Sequence, residues 1–351
     1  MHPRKSRLAF AAVIAVALSV VLILSCNTGP AVKDGQGEPD QLSFRLKWFV
    51  YSSFAHHLIA EEKGLYSAQR LRVNIKPGGA NVDPVKTVAV GEDDIGLASY
   101  AQILLARQQG VPVVAIAEEY LKSGVVQFSL KEKGITKPQD YIGKKVGLIP
   151  GSDTGTVYEA LMAKEGIDRK KITEVPIGFD LTPLFSGAID VSTVGYVSNQ
   201  PVVAQTKGYG INIIDPHDYG IRPGGNVVFT TEKALREKRP QLKRFLRAMV
   251  DAIELSQQMP DEEVVDIVLK YNPKLEKASE VRVWQVTKDQ LLSKDPSRTG
   301  IMPAETWAQT ADLFSRFGPL KQIPALESCY TNDLINEVLA ERKVAQKAAG
   351  R

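Results

Sequence analysis

The chain predicts an α/β fold of two lobes, each a mainly parallel sheet flanked by helices, with a ligand cleft between them. Three observations carry this. A strand-like run, Lys145 to Pro150, stops at a turn, and Gly151-Ser152-Asp153-Thr154 opens a helix that ends at Gly166. A Gly…Asp…Tyr signature occurs twice, so that Gly91, Asp94 and Tyr100 match Gly187, Asp190 and Tyr196. The elements upstream recur in the same order: strand, helix ending in Gly64 or Gly166, second strand, short helix, signature strand. Two βαβαβ halves imply two sheets with crossover helices, and ligands in such sheets sit beyond the carboxyl ends of the strands.

Taken in order, residues 1–25 carry a basic tip (Arg4, Lys5, Arg7) and an uncharged run from Leu8 to Leu24. That run falls short of the roughly 20 residues of a spanning helix and suits the core of a signal peptide. It ends in Ile23-Leu24-Ser25-Cys26, which resembles a bacterial lipobox and implies lipidation of Cys26; the alternative is a plain transmembrane anchor. Residues 26–41 read as a flexible tether rich in Gly, Pro and charge.

The first lobe is expected over 42–122. Its parts are a strand Leu42 to Phe49, a helix Phe54 to Lys63, a strand Leu71 to Lys76, and a helix opened by Pro84. A helix Ala101 to Gln109 and a buried strand Val111 to Ala117 complete it, and 118–124 crosses to the second lobe. The second lobe is expected over 123–240 and includes strands 145–150 and 172–177. Helices over 241–339 are expected to return to the first lobe and cover it, leaving 340–351 as a basic, fraying tail.

With 351 residues, 44% hydrophobic and 24% charged, the chain can bury a substantial core and is neither disordered nor fibrous. The formal charge of +4 falls to +1 once Arg4, Lys5 and Arg7 are set aside, and no basic face for nucleic acid is visible. Two cysteines, Cys26 and Cys329, make no disulfide framework, and Cys329 reads as a buried or tail thiol.

Catalysis has little to build on. No phosphate loop, G-x-S-x-G elbow, C-x-x-C or H-E-x-x-H occurs. His56-His57 is the only histidine pair, and neighbours on a helix point roughly 100° apart, which argues against a shared metal. No catalytic residue, metal or cofactor is assigned. Binding has more. The strand-end loops present Trp48, Phe49, Tyr51, Phe54, Tyr100, Tyr120, Phe179 and Tyr196, suited to stacking on a planar heterocycle. Asn199 and Gln200 supply amides for its polar edge. Ser152 and Thr154 open a helix whose free N–H groups favour an acceptor, although Ser152, Asp153 or Thr154 also serves as an ordinary cap.

Lys47-Trp48-Phe49, Glu62-Lys63-Gly64-Leu65-Tyr66, Pro77-Gly78-Gly79 and Gly91-Glu92-Asp93-Asp94-Ile95-Gly96 resemble one family of ABC-transporter solute-binding proteins. So do Gly151-Ser152, Gly178-Phe179-Asp180-Leu181-Thr182-Pro183 and Ser198-Asn199-Gln200-Pro201. The family includes binders of thiamine's pyrimidine precursor and of riboflavin, together with fungal pyrimidine synthases. The resemblance covers roughly 44–232. It implies a type II periplasmic-binding fold, and a monomeric lipoprotein on the outer face of the plasma membrane that delivers a small molecule to a permease served by a separate ATPase subunit. Where pyrimidine binders read Tyr-Asn-Glu-Pro, this chain has Ser198-Asn199-Gln200-Pro201, and Gln200 suits a neutral imide edge such as that of flavin. Riboflavin is therefore the expected ligand, contacted by Trp48, Phe49, Phe54, Tyr100, Tyr120, Tyr196, Asn199 and Gln200. Ser152, Thr154 and Asp180 are expected on the ribityl hydroxyls. A thiamine pyrimidine precursor is the alternative; a sulfonate or taurine binder and a pyrimidine synthase follow.

Overall fold

Two five-stranded sheets organise the computed structural model, which describes residues 38–350 apart from 80 and 349. Cys26, the leader and most of the expected tether lie outside the described residues. The first sheet runs β2 (Leu71–Lys76), β1 (Asp40–Arg45), β3 (Ile95–Ser99), β10 (Asn226–Thr231), β4 (Val113–Glu118). The second runs β7 (Thr173–Pro176), β6 (Lys145–Leu148), β8 (Val191–Tyr196), β5 (Val125–Leu130), β9 (Ile211–Ile214). In each, three strands are parallel and the fourth in spatial order is antiparallel to both neighbours. The two lobes are therefore built alike, strand for strand.

The repeated signature has a physical basis. Gly91 and Gly187 hold φ of 81° and 72°, the left-handed region that glycine enters at no steric cost. Three residues on, Asp94 Oδ2 accepts from the Ser43 N–H at 2.8 Å, and Asp190 Oδ2 accepts from the Lys145 N–H at 3.0 Å. Each carboxylate thus pins the signature strand to the first strand of its own repeat, β1 or β6.

Four expectations need correction. The first strand stops at Arg45 instead of reaching Phe49, because its partner β2 ends at Lys76 and Pro77 has no N–H to continue the ladder. The return to the first lobe precedes Asn226 and does not wait until 240, since β10 inserts between β3 and β4. Helices Arg239–Gln258 and Asp261–Tyr271 pack on Ala55–Glu62 of the first lobe. Lys277–Gln290 and Ala304–Phe317, however, also reach second-lobe helices Gln200–Thr206 and Asp153–Lys164, so this block is shared between the lobes. The tail does not fray at 340: helix Asp333–Ala348 buries Leu334, Ile335 and Val338, and Arg342 is held by Asp251 and Glu254. Among the described residues no helix is long and apolar enough to cross a membrane.

Candidate functional site

The carboxyl ends of both sheets open on one cavity of about 540 Å³, within the ~300–1,000 Å³ typical of small-molecule sites. The first lobe supplies Trp48, Tyr51, Phe54 and Tyr120 to its walls, and the second supplies Phe179 and Tyr196. Trp48 and Phe179 meet across it, ring centroids 4.9 Å apart and tilted by 54°. Side-chain amides and hydroxyls of Ser99, Gln102, Ser152, Ser198, Asn199 and Gln200 also line it.

Seven of the expected residues line this cavity: Trp48, Phe54, Tyr120, Ser152, Tyr196, Asn199 and Gln200. Four do not. Phe49 is 53% exposed and leans outward on the edge of Trp48. Tyr100 is the repeat partner of Tyr196 but opens a helix, whereas Tyr196 ends a strand. Its hydroxyl donates to Glu118 at 2.6 Å behind the cavity, under Trp307. Thr154 is buried, with its hydroxyl 3.0 Å from that of Ser152. Asp180 is exposed and accepts from the N–H and hydroxyl of Thr182, so it caps its own turn. Ser152 lines the cavity yet its hydroxyl is committed, donating to the Ile149 carbonyl and accepting from the Gly155 N–H. For Ser152 the capping reading is the structural one.

The next residue matters more. Asp153, the first of helix Asp153–Lys164, faces the cavity and accepts 2.8 Å from the Ser99 hydroxyl of the opposite lobe. A second bridge joins Ser53 to Ser198 at 2.9 Å, and the Tyr120 hydroxyl donates to the Ser53 carbonyl at 2.6 Å.

Lys47 is the cation of the lining among the described residues. It follows the end of β1, and the chain Pro77-Gly78 holds it there: Gly78 N–H donates to the Trp48 carbonyl at 2.9 Å. Lys47 Nζ donates to Asn226 Oδ1 at 3.2 Å, and Asn226 Nδ2 donates to Glu119 Oε2 at 3.1 Å. Glu119 Oε1 lies 3.1 and 2.9 Å from the Nε2 atoms of His56 and His57. Burial lowers the Lys47 pKa, against the opposing pull of Asp153 and Glu119. Burial alone would raise Glu119, but the hydrogen bonds from His56 and His57 outweigh it and bring it down to about 2. Burial, with repulsion from His56, lowers His57 to about 4.

The adjacent histidines do converge, contrary to the expectation from helical geometry, and their ligand atoms lie with that of Glu119 within 4.8 Å of one another. Both Nδ1 atoms are buried without a partner, whereas a metal-bound histidine ordinarily anchors its second nitrogen. The three therefore form a hydrogen-bonded brace under the cavity floor. Lys47, Asp153 and Asn226 were not read from the sequence as contact residues. Lys47 stood one position before Trp48, at a strand end already assigned to the cleft side, and that was the available signal.

Residues 52–263 match the family described as NMT1/THI5 like. The chain belongs to that family. It is 25% identical to a formylaminopyrimidine-binding protein of Halalkalibacterium halodurans, over 71% of this chain and 76% of that one. It is 24% identical to the riboflavin-binding protein RibY of Chloroflexus aurantiacus, over 91% and 95% of the two. A 4-amino-5-hydroxymethyl-2-methylpyrimidine phosphate synthase of Legionella pneumophila is 22% identical over 83% of this chain and 91% of its own. Among solved structures, the alkanesulfonate-binding protein SsuA of Xanthomonas axonopodis superposes with a TM-score of 0.64 at 16% identity, covering 84% of this chain and all of that one. The fold of this NMT1/THI5-like chain is thus the two-lobed periplasmic-binding fold, as the sequence resemblance implied.

Proposed function

We propose that the chain is the solute-binding component of an ABC importer that captures a neutral planar heterocycle, riboflavin first, and hands it on unchanged. The observation that carries the reading is the cavity itself, with aromatic side chains from both lobes and a rim of amides and hydroxyls. Stacking and burial hold a flat ring in such a site, and the polar rim fixes its orientation. Charge supports neutrality: Lys47 is offset by Asp83 and Asp153 in the lining, which disfavours a sulfonate. The relation to RibY spans nearly both chains.

A second reading, a formylated aminopyrimidine, is favoured by one specific observation: Asp153 offers a carboxylate that accepts from a ring amino group. The relation to the formylaminopyrimidine-binding protein is in keeping with it. No catalytic role is assigned to any residue. Lipidation of Cys26, attachment to the outer face of the plasma membrane, a monomeric state, and a permease with its own ATPase subunit belong to the same proposal.

Titration of riboflavin with the purified protein tests it, since stacking quenches flavin fluorescence. Saturable quenching at micromolar protein is expected. No quenching, with saturable heat on titrating the aminopyrimidine, would transfer the assignment to the second ligand.

A further inference from the structure

We infer that Lys47 is the specificity-determining residue of the cleft: its ammonium, oriented by Asn226, donates to a hydrogen-bond acceptor on the rim of the bound ring. The inference rests on the heterocycle reading above and deepens it.

The orientation follows from donor and acceptor counting. Ionised Glu119 is an acceptor only, and its two oxygens are met by His56 and His57 on one side and Asn226 on the other. The Asn226 amide must therefore turn its NH2 toward Glu119, which leaves Oδ1 facing Lys47. An amide that would otherwise be ambiguous is thus fixed by its neighbours. An ammonium has three donors, and one is committed to Asn226. Lys47 lines the cavity, so its remaining donors are available to the ligand.

Lys47 loses solvation in this wall, and a polar group so placed favours a ligand that restores a partner. The groups that face it are Glu119, braced by the two histidines, and Asp153 from the second lobe. Asp83, also in the lining, is occupied in capping Val85 and Lys86. Neither Glu119 nor Asp153 makes a hydrogen bond to Lys47 among the described contacts. The lobes consequently present opposite polarity: a donor from the first and a carboxylate acceptor from the second. A ring that carries a carbonyl or ring nitrogen on one edge and an N–H or O–H on the other satisfies both.

The test compares wild type with Lys47→Met and Lys47→Arg, using riboflavin and a formylated aminopyrimidine as probes across pH 6 to 11. Folding of each variant is checked by thermal melting. Expected for the probe that binds is a loss of about ten- to a hundredfold in Lys47→Met, the range for hydrogen bonds to charged groups, with much of it recovered in Lys47→Arg. Wild-type affinity should fall as pH rises through the lowered Lys47 pKa, and that fall should move to higher pH in Lys47→Arg. Binding by wild type with Lys47→Met within twofold, or an alkaline fall identical in Lys47→Arg, overturns the role of Lys47 alone. No binding of either probe by wild type overturns the heterocycle reading and the donor role with it.

Discussion

Ser99 Oγ donates to Asp153 Oδ2 at 2.8 Å, joining the N-cap of first-lobe helix Tyr100–Gln108 to the first residue of second-lobe helix Asp153–Lys164. Two helix N-termini, each with partial positive charge, thereby share one carboxylate across the cleft. Asp153→Asn keeps an acceptor for Ser99 and removes the charge. Affinity for riboflavin, whose neutral N–H needs only an acceptor, should then change by no more than about threefold, whereas an aminopyrimidine whose protonated ring nitrogen pairs with the carboxylate should lose about tenfold or more. Calorimetric titration of both probes against this one variant separates the two ligand readings.

Gln200 Oε1 accepts from the Tyr196 N–H at 3.0 Å, so its carbonyl serves its own loop and Nε2 is the group left for a ligand. Gln200→Glu preserves the loop acceptor and deletes that donor. Riboflavin binding should weaken by on the order of 1–3 kcal/mol, the cost of a buried polar group wrongly paired, with little change in melting temperature. Unchanged affinity would show that this loop does not touch the flavin.

A Cβ at Gly78 would lie 2.3 Å from the Leu46 carbonyl oxygen and 2.6 Å from the Lys47 carbonyl carbon. Both are backbone atoms, so Gly78→Ala must displace the segment that carries Lys47 and Trp48. The variant should melt lower, by roughly 1–3 kcal/mol of stability, and bind its ligand more weakly than any single side-chain truncation at the cleft rim. Melting curves and the same quenching titration check both halves.

Acid should destabilise the protein through the brace beneath the cavity. Folding holds His57 below its ordinary pKa, to about 4, so its contribution is complete above pH ~6.5 and is lost as pH falls toward 4. Folding also lowers Glu119, so its contribution is complete above its unfolded value and is lost as pH falls further. Both terms have the same sign: the unfolded chain binds more protons, and stability rises with pH. Melting temperature should drop between pH 7 and 4, more steeply in Glu119→Gln because Glu119 opposes the lowering of His57. The further drop below pH ~4 should flatten in that variant, which lacks the Glu119 carboxylate. A profile identical in Glu119→Gln would show that acid acts elsewhere.

How much of this was legible in the sequence varies with the kind of signal. Strand Leu71–Lys76 matches its expected bounds, because alternating apolar residues and flanking turns mark a half-buried strand. The duplication was legible through Gly91 and Gly187 and through Asp94 and Asp190, because each half needs the same turn and the same strand-to-strand tie and so keeps the same spacing. Tyr100 misled for the same reason. Its position repeats that of Tyr196, but the packing of Trp307, some two hundred residues later in the chain, draws it behind the cavity. Asp153 and Lys47 act across the cleft, and no local pattern reports which residues a distant lobe will bring opposite.

Asn226 holds one more consequence. Its carbonyl accepts from the N–H groups of Glu119 and Tyr120 at 2.8 and 3.2 Å, tying together the two places where the chain passes between lobes. Its side chain meanwhile steadies the Lys47 ammonium. The crossing between lobes and the lysine proposed to meet the ligand are therefore neighbours through a single asparagine, so a displacement of one lobe against the other would reach the Lys47 ammonium.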